Sequence, residues 1–341
     1  MSGRDASDVL VIGGGTFGTA LGSLLADRGR RVALWVRRAE QAEEINSSHR
    51  NSRYLPDFEL PAGLRAVSDL DAAVRGAPVV LMVVPSKAFR EVARSLGDHL
   101  EGDQVVIHAT KGIEIDSFKR MSQVLREETC ALKIGVISGP NLSREMMAGH
   151  PAGALLASRY EEVVRAGQAL FAESRLRLYS GRDVIGTEVG GAFKNIIAVA
   201  AGMAAGLGFG DNTKALLITR GLSEMARFGV SLGADVFTFG GLAGIGDLMA
   251  TCASPLSRNH QVGARLAAGE TLADILASTH QVAEGVPTAR AVHRQAAALG
   301  LELPIVEAVY GRLHADWDND RVVDYLLGLP VGDELARLRY E

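Results

Sequence analysis

Hydrophobic positions in the first half of the chain gather into short, continuous, β-branched runs at residues 8–13, 31–36, 79–84, 104–108 and 134–138. Runs that are apolar throughout, rather than at every second position, are the pattern of strands covered on both faces, as in a parallel sheet. Between them, residues 17–28 and 87–96 carry helical spacing, and strands alternating with helices predict a doubly wound α/β sheet. Two further runs, 153–157 and 176–179, bracket a helical pattern over 160–172 and extend this part to about residue 182. Beyond it the period becomes helical, at 212–228, 272–277, 288–299 and 305–313, with Gly- and Ser-rich connections at 240–246 and 253–257. The pattern therefore predicts two domains: an α/β domain over 1–182 with a mostly parallel sheet, and an all-helical domain over 183–341. The charged tail 333–341 is expected to be a solvated helix.

One stretch of the helical half departs from ordinary amphipathic patterning. From Val189 to Phe209 every residue is apolar, Gly or Ala except the adjacent Lys194 and Asn195. An uncompensated buried ammonium has its charged form disfavoured and its pKa lowered, which lets a lysine exchange a proton near neutrality. The competing reading is a packed stem whose head group reaches water. Composition bears on that choice only indirectly. A chain of 341 residues with 47% hydrophobic and 22% charged positions suits about two soluble domains with substantial cores. The net charge of −4 argues against a general nucleic-acid surface and favours small anions as partners. Cys130 and Cys252 are the only cysteines, too few for a disulfide framework or a cysteine metal cluster, so a reduced cytoplasmic setting is expected. The polar residues 1–8 precede an apolar run too short for a signal peptide, and the charge within 189–209 argues against membrane insertion.

Chemistry enters at Gly13-Gly14-Gly15-Thr16-Phe17-Gly18, which fits G-x-G-x-x-G after the first expected strand and at the start of a helix. Gly13 would make the tight turn, Gly15 would let backbone approach a pyrophosphate, and Gly18 would let helix and strand pack closely, as in a Rossmann dinucleotide site. After the second strand, where an acid would receive the ribose 2′-hydroxyl of NAD(H), stand Arg37 and Arg38. Guanidinium groups there favour the 2′-phosphate of NADP(H), with NAD(H) a weaker expectation. Trp35 beside them is expected in the core. Lys111 follows the strand 104–108, at the carboxyl end of the sheet where open α/β folds bind ligands. Asn141, after Ser138-Gly139-Pro140, is expected either to cap a helix over 142–148 or to meet a ligand.

In the helical half, Asp247 and Thr251 are four apart and share a face if the segment is helical. Asp247 is either an N-cap or a partner for the Lys194 ammonium. Ser257-Arg258-Asn259, expected in a loop, combines a hydroxyl, a guanidinium fork and an amide, a set suited to a small phosphate. Asp211-Asn212-Thr213 is expected to cap the helix that follows. The eight histidines have no metal-ligand spacing, so no metal is expected.

Taken together, residues 13–20 (GGGTFGTA), Lys111-Gly112, Ser138-Gly139-Pro140, the run 191–224, residues 244–247, Ser257-Arg258-Asn259 and Glu284-Gly285 resemble the bacterial form of the NAD(P)-dependent glycerol-3-phosphate dehydrogenases over nearly the whole chain. The resemblance implies reduction of dihydroxyacetone phosphate to sn-glycerol 3-phosphate for glycerophospholipid synthesis. It implies Lys194 as proton donor and acceptor, with Lys111 and Asp247 as active-site partners. Gly139, Asn141, Thr251, Ser257, Arg258 and Asn259 would meet substrate. Thr16, Phe17, Arg37, Arg38, Tyr54, Lys111, Ser143, Arg258, Val282 and Glu284 would line the dinucleotide. Asn141-Leu142-Ser143 stands where the family more usually has Ser or Thr, Phe and Ala, and His260 stands where Arg is common. A homodimer is compatible with the resemblance. The rival readings are a β-hydroxyacid or 6-phosphogluconate-type dehydrogenase, which would share the lysine-asparagine pair, and a non-catalytic NADP(H)-binding regulator.

Overall fold

The structure, a computed structural model, describes residues 7–278 and 282–332, so the expected helix over 333–341 lies outside the described residues. The chain divides into two compact units. One runs to Thr110 and resumes over Met121–Val184; the other takes Lys111–Arg120 and everything from Ile185 onward. Where the sequence suggests one boundary, between 182 and 183, the chain thus changes unit at 184/185 and also at both ends of a ten-residue excursion.

The first unit contains, in order, β1 (Val9–Ile12), α1 (Thr16–Ala26), β2 (Val32–Trp35), α2 (Ala39–Ser48), β3 (Leu64–Val67), α3 (Leu70–Val74), β4 (Val79–Met82), α4 (Ser86–Gly97), β5 (Val105–His108), α5 (Met121–Glu128), β6 (Ile134–Ser138), α6 (Ser143–Met147), β7 (Ala152–Ser158), α7 (Glu161–Leu170) and β8 (Leu176–Gly181). The eight strands form one sheet in the order β3-β2-β1-β4-β5-β6-β7-β8. All neighbours are parallel except β6 and β7. Its first six strands follow the 3-2-1-4-5-6 order of dinucleotide-binding sheets, whose switch point lies between β1 and β4. Strand side chains alternate between two cores: Val9 and Val11 join one cluster, Leu10 and Ile12 the other. That double covering is why the strand runs are continuously apolar.

Strand β3 departs from the sequence expectation, which left Leu64–Val67 unassigned. It holds the sheet edge on β2, and Arg65 faces solvent, so its apolar signal is only two residues deep. Asn141 is not a cap either. The helix there begins at Ser143, and its N-cap Leu142 supplies no side-chain bond, because Asn141 falls one residue too early in the chain.

The second unit contains α8 (Val184–Gly206), α9 (Asp211–Ser231), α10 (Asp247–Ala253), α11 (Arg258–Ala267), α12 (Leu272–Ala277), α13 (Gly285–Ala298), α14 (Pro304–His314) and α15 (Asn319–Leu327), with α8 starting at the last residue of the first unit. Every residue of α8 from Gly186 to Ala204 is buried. It is long and apolar enough to cross a membrane by composition, but 89% of its most apolar window is packed inside the protein, which makes it the core helix of this unit. Two expectations change here. Residues 240–246 are not an open connection: a 3-10 turn (Val236–Gly240) and an irregular π-type turn (Leu242–Gly246) lead into α10. Asp211-Asn212-Thr213 does not cap α9, whose N-cap is Gly210 without a side-chain bond; Asp211 sits in its first turn.

Small residues let α8 lie against backbone. A Cβ on Gly202 would overlap the His260 carbonyl, one on Gly263 the Val199 carbonyl, and one on Gly190 the Ala243 carbonyl. The last contact fixes the site, because Gly190 lies one helical turn before Lys194 and Ala243 lies four residues before Asp247. Replacing Gly190 by Ala forces α8 away from that turn. The expected cost is about 1–3 kcal/mol, read as a lowered midpoint in chemical denaturation. A Gly190→Ala protein as stable as wild type would show that the contact does not set the helix position.

Candidate active site

In the first unit the glycine turn is built as its spacing demands. Gly13 has φ of +120° and its N–H donates to the Trp35 carbonyl at 3.0 Å. A Cβ on Gly13 would stand 2.5 Å from the Val83 carbonyl oxygen, at the end of the neighbouring strand. Gly15, the N-cap of α1, faces open space: a Cβ there would meet nothing within 4 Å. Gly18 lies so close to the turn that a Cβ would overlap the Gly13 carbonyl. Thr16 and Phe17 occupy the first turn of α1, which carries no acidic residue and no side-chain cap. The result is a positive helix end opening on unfilled space, the chemistry that receives a pyrophosphate.

Two buried amides that sequence reasoning missed hold this turn. Gln41 Nε2 donates to the Gly14 carbonyl at 2.7 Å, and Asn51 Nδ2 donates to the same carbonyl at 3.1 Å and to Thr19 Oγ1 at 2.8 Å. Both come from polar stretches, where a buried amide leaves no periodic signal. Gln41 also reaches outward: its Oε1 accepts from Arg38 Nη2 at 3.2 Å, so Arg38 is fastened to the turn while Arg37 is exposed. Trp35 packs against the sheet and donates its indole N–H to the Ser68 carbonyl. Tyr54 is half-buried with the Arg53 guanidinium 5.8 Å from its ring centre. Gly139 leaves β6 at φ +152°, and a Cβ there would stand 2.8 Å from Ala154 Cα. Asn141 follows it, buried, and Ser143 opens α6.

In the second unit the lysine of α8 does not reach water. Lys194 is 4% exposed, and its Nζ donates to Asp247 Oδ1 and, at 2.6 Å, to Thr251 Oγ1. Asp247, first residue of α10 and 2% exposed, is not a cap: Gly246 precedes it, and its carboxylate also accepts from Lys111 Nζ at 2.8 Å through Oδ2. Thr251 closes the group by donating to the Asp247 carbonyl at 2.7 Å. One carboxylate thus bridges two ammonium groups in a dry interior. Burial lowers the Lys194 pKa from 10.5 to about 7; the Asp247 charge opposes the fall and the Lys111 charge adds to it. Burial pushes the Asp247 carboxyl up, but Lys111 and Lys194 outweigh it and hold the carboxyl below its ordinary value. Lys194 can therefore both give and take a proton near neutrality.

Ser257-Arg258-Asn259 opens a helix rather than lying in a loop. Ser257 is the N-cap of α11, accepting from the His260 N–H, which places Arg258 and Asn259 in the first turn. Arg258 Nη1 donates to the Val282 carbonyl at 2.9 Å. Asn259 Nδ2 donates to Asn195 Oδ1 at 2.8 Å, and its Oδ1 accepts from the Gly285 N–H at 2.9 Å. Asn259 therefore ties α8 to the start of α13, where Glu284 is the N-cap residue. Among the described residues, no group of three His, Cys, Asp or Glu side chains is placed to hold a metal ion.

Residues 8–164 match the model of the NAD-dependent glycerol-3-phosphate dehydrogenase N-terminus, and residues 183–324 match that of its C-terminus. The glycerol-3-phosphate dehydrogenase [NAD(P)+] of Acinetobacter baylyi is 46% identical over 90% of this chain and 86% of that relative. The chain belongs to this family. The glycerol-3-phosphate dehydrogenase [NAD(P)+] of Teredinibacter turnerae is 43% identical over 95% of this chain and 94% of that protein. The crystal structure of glycerol-3-phosphate dehydrogenase from Coxiella burnetii superposes with a TM-score of 0.91 at 35% identity, covering 94% of this chain and 99% of that one. Both halves of a glycerol-3-phosphate dehydrogenase are thus present, the glycine turn within the first matched segment and the Lys194-Asp247 pair within the second.

Asp247 compensates the buried ammonium, so Asp247→Asn leaves Lys194 with less to hold its proton. The Lys194 pKa is expected to drop below about 7. A lysine depressed below its unfolded value weakens folding wherever the unfolded chain holds the extra proton, so the loss shrinks as pH rises; it also fades in strong acid, where wild-type Asp247 is itself protonated. Near neutrality it should reach roughly 3 kcal/mol, as for a broken buried ion pair. NMR titration of 13Cε-labelled lysine and urea unfolding at several pH values measure both effects. Unaltered Lys194 titration in the folded variant would remove Asp247 from this role.

Proposed function

We propose that this chain reduces dihydroxyacetone phosphate to sn-glycerol 3-phosphate with NAD(P)H, reversibly, supplying glycerophospholipid synthesis in the cytoplasm. The observation that carries the reading is the buried Lys194 ammonium, poised at about 7 on Asp247 and Thr251, within a chain of this family. Gly13, Gly15, Thr16, Phe17 and Gly18 would hold the nicotinamide dinucleotide, whose chemistry would be to supply the hydride. Lys194 gives its proton to the oxygen of the C2 carbonyl, and in the reverse direction the neutral amine takes the hydroxyl proton. Asp247 orients that amine, and Thr251 holds its third direction. Lys111 stabilises negative charge developing on the same oxygen. Ser257, Arg258 and Asn259 receive the phosphate, so that binding energy remote from the carbonyl positions it; Gly139 and Asn141 complete the substrate contacts. Tyr54, Ser143, Val282 and Glu284 line the dinucleotide together with Lys111 and Arg258. For the cofactor, Arg37 and Arg38 favour NADP(H) over NAD(H) by offering guanidinium groups to a 2′-phosphate.

Loss of nicotinamide absorbance on mixing purified protein with dihydroxyacetone phosphate and NADPH tests the reaction directly. Lys194→Met should lower kcat roughly 10³-fold in a folded protein; near-normal turnover would remove the proton-transfer role. The pH profile has a definite sign. Reduction needs the protonated amine, so its kcat falls as pH rises through about 7, whereas oxidation of glycerol 3-phosphate needs the neutral amine and rises over the same interval. Profiles that run the other way would exclude Lys194 as the titrating group.

The cofactor preference is tested by comparing kcat/KM for NADPH and NADH. Wild type should favour NADPH, and replacing Arg37 and Arg38 by Ala should remove roughly 10-fold or more of that preference, about one charge-assisted pair's worth. Equal use of both cofactors by wild type would reject the assignment.

A further inference from the structure

Lys111 reaches Asp247 from the ten-residue excursion Lys111–Arg120, and a flexible four-carbon stem does not fix an ammonium by itself. The far end of the excursion is held by a different contact. Arg120 donates to Glu188 in a pair whose side chains are 15% and 2% exposed, and Glu188 belongs to α8, the helix that also carries Lys194. The two ends of the excursion are then joined. Ile113 and Arg120 form an antiparallel bridge, the Glu114 N–H donates to the Lys119 carbonyl at 3.0 Å, and Phe118 turns the chain at φ +57°. Ile113 is itself 6% exposed in the core of the second unit, and the Arg294 guanidinium lies 5.3 Å from the centre of the Phe118 ring. The position of Arg120 is thereby passed across the bridge to Ile113, two residues from Lys111.

A buried ion pair is seldom a better stabiliser than two apolar side chains of the same volume. Its distinguishing property is direction: a guanidinium fork meeting a carboxylate fixes where one segment sits on another. Glu188 and Lys194 are six residues apart on one rigid helix, about 9 Å along its axis. The same helix therefore sets both the anchor of the excursion and the amine that the excursion serves.

We infer that Arg120 and Glu188 are a positioning pair for the active site, clamping the excursion to α8 so that the Lys111 ammonium stays on Asp247. This rests on the function proposed above for Lys111 and Lys194. The groups that bear on the Lys194 amine are Asp247, Thr251 and Cys252 from α10 and Lys111 from the excursion. Of these only Lys111 reaches the site from a segment held by the pair. Releasing it takes a positive neighbour away from Lys194 and leaves Asp247 to Lys194 alone, and both changes raise the proton affinity of Lys194.

The test replaces both partners, Arg120→Met with Glu188→Met, which keeps the net charge. In the NMR titration of 13Cε-labelled lysine the Lys194 midpoint should move up by roughly half a pH unit or more. The kcat for reduction of dihydroxyacetone phosphate should fall about 10-fold, as expected for a misplaced group beside the reacting atoms. In a Lys111→Met background the same double replacement should change neither quantity further. Should the double variant fail to fold, Arg120→Lys, which keeps the charge and loses the fork, should shift the midpoint upward by a smaller amount. An unmoved midpoint in a folded variant, or an equal effect with and without Lys111, overturns the inference. The titration needs no substrate. A wild type that does not reduce dihydroxyacetone phosphate therefore refutes the proposed reaction, while the midpoint still decides the positioning role.

Discussion

One buried carboxylate stands between two ammonium groups, one of them almost fully enclosed, and the second unit holds that imbalance in place. With both amines charged, Asp247 cannot neutralise them, and two like charges a few ångströms apart repel by several kcal/mol even in a polarisable interior. The strain falls on Lys194, which is almost fully enclosed, whereas Lys111 retains some exposure. A proton that is hard to keep and easy to replace is what an acid-base catalyst requires. The surrounding features keep the imbalance from relaxing: α8 is packed on all sides, Gly190 seats it against the Ala243 carbonyl, and Thr251 occupies a direction in which the amine would otherwise swing.

The two units prepare their chemistry by different means. In the first the working parts are backbone: the first turn of α1, the open side of Gly15, and the Gly14 carbonyl gripped by Gln41 and Asn51. Backbone carries little information about which hydroxyl or ketone is transformed, and such sheets serve many reactions. In the second unit the proposed working parts are side chains, the Lys194, Asp247, Thr251 and Lys111 group. Asn259, bonded to Asn195 beside Lys194 and to the Gly285 N–H, keeps the guanidinium-bearing turn of α11 in register with α8.

This division explains what was legible in the sequence. Strands covered on both faces leave continuous apolar runs, so seven of the eight strands stood out, as did the glycine turn, whose three roles follow from steric exclusion alone. Lys194 was conspicuous because a cation among Ala, Gly and Ile contradicts its surroundings. Features set by tertiary contact left no such trace. Strand β3 exists because β2 offers it an edge, and Gln41 and Asn51 look like any surface amides until the turn closes over them. The excursion Lys111–Arg120 has no compositional mark, since its contacts are with residues far along the chain, Asp247 for Lys111 and Glu188, 68 residues beyond its end, for Arg120. Ser257 reads in sequence as the end of a Ser-rich connection, and only the bond it accepts from the His260 N–H marks it as a helix cap.

The choice of lysine over histidine follows from the same burial. Histidine begins near 6.5 and would suit a solvated site without adjustment. In the enclosure around Asp247, however, burial carries the amine from 10.5 down to about 7 despite the opposing carboxylate. Burial would push an imidazole down as well, from a starting value already near neutrality. A base that starts far above neutrality can be enclosed deeply and still hold a proton near neutrality. Depth of burial and identity of the acid are therefore a single constraint: a drier site strengthens each interaction with the developing alkoxide, and lysine tolerates the dryness.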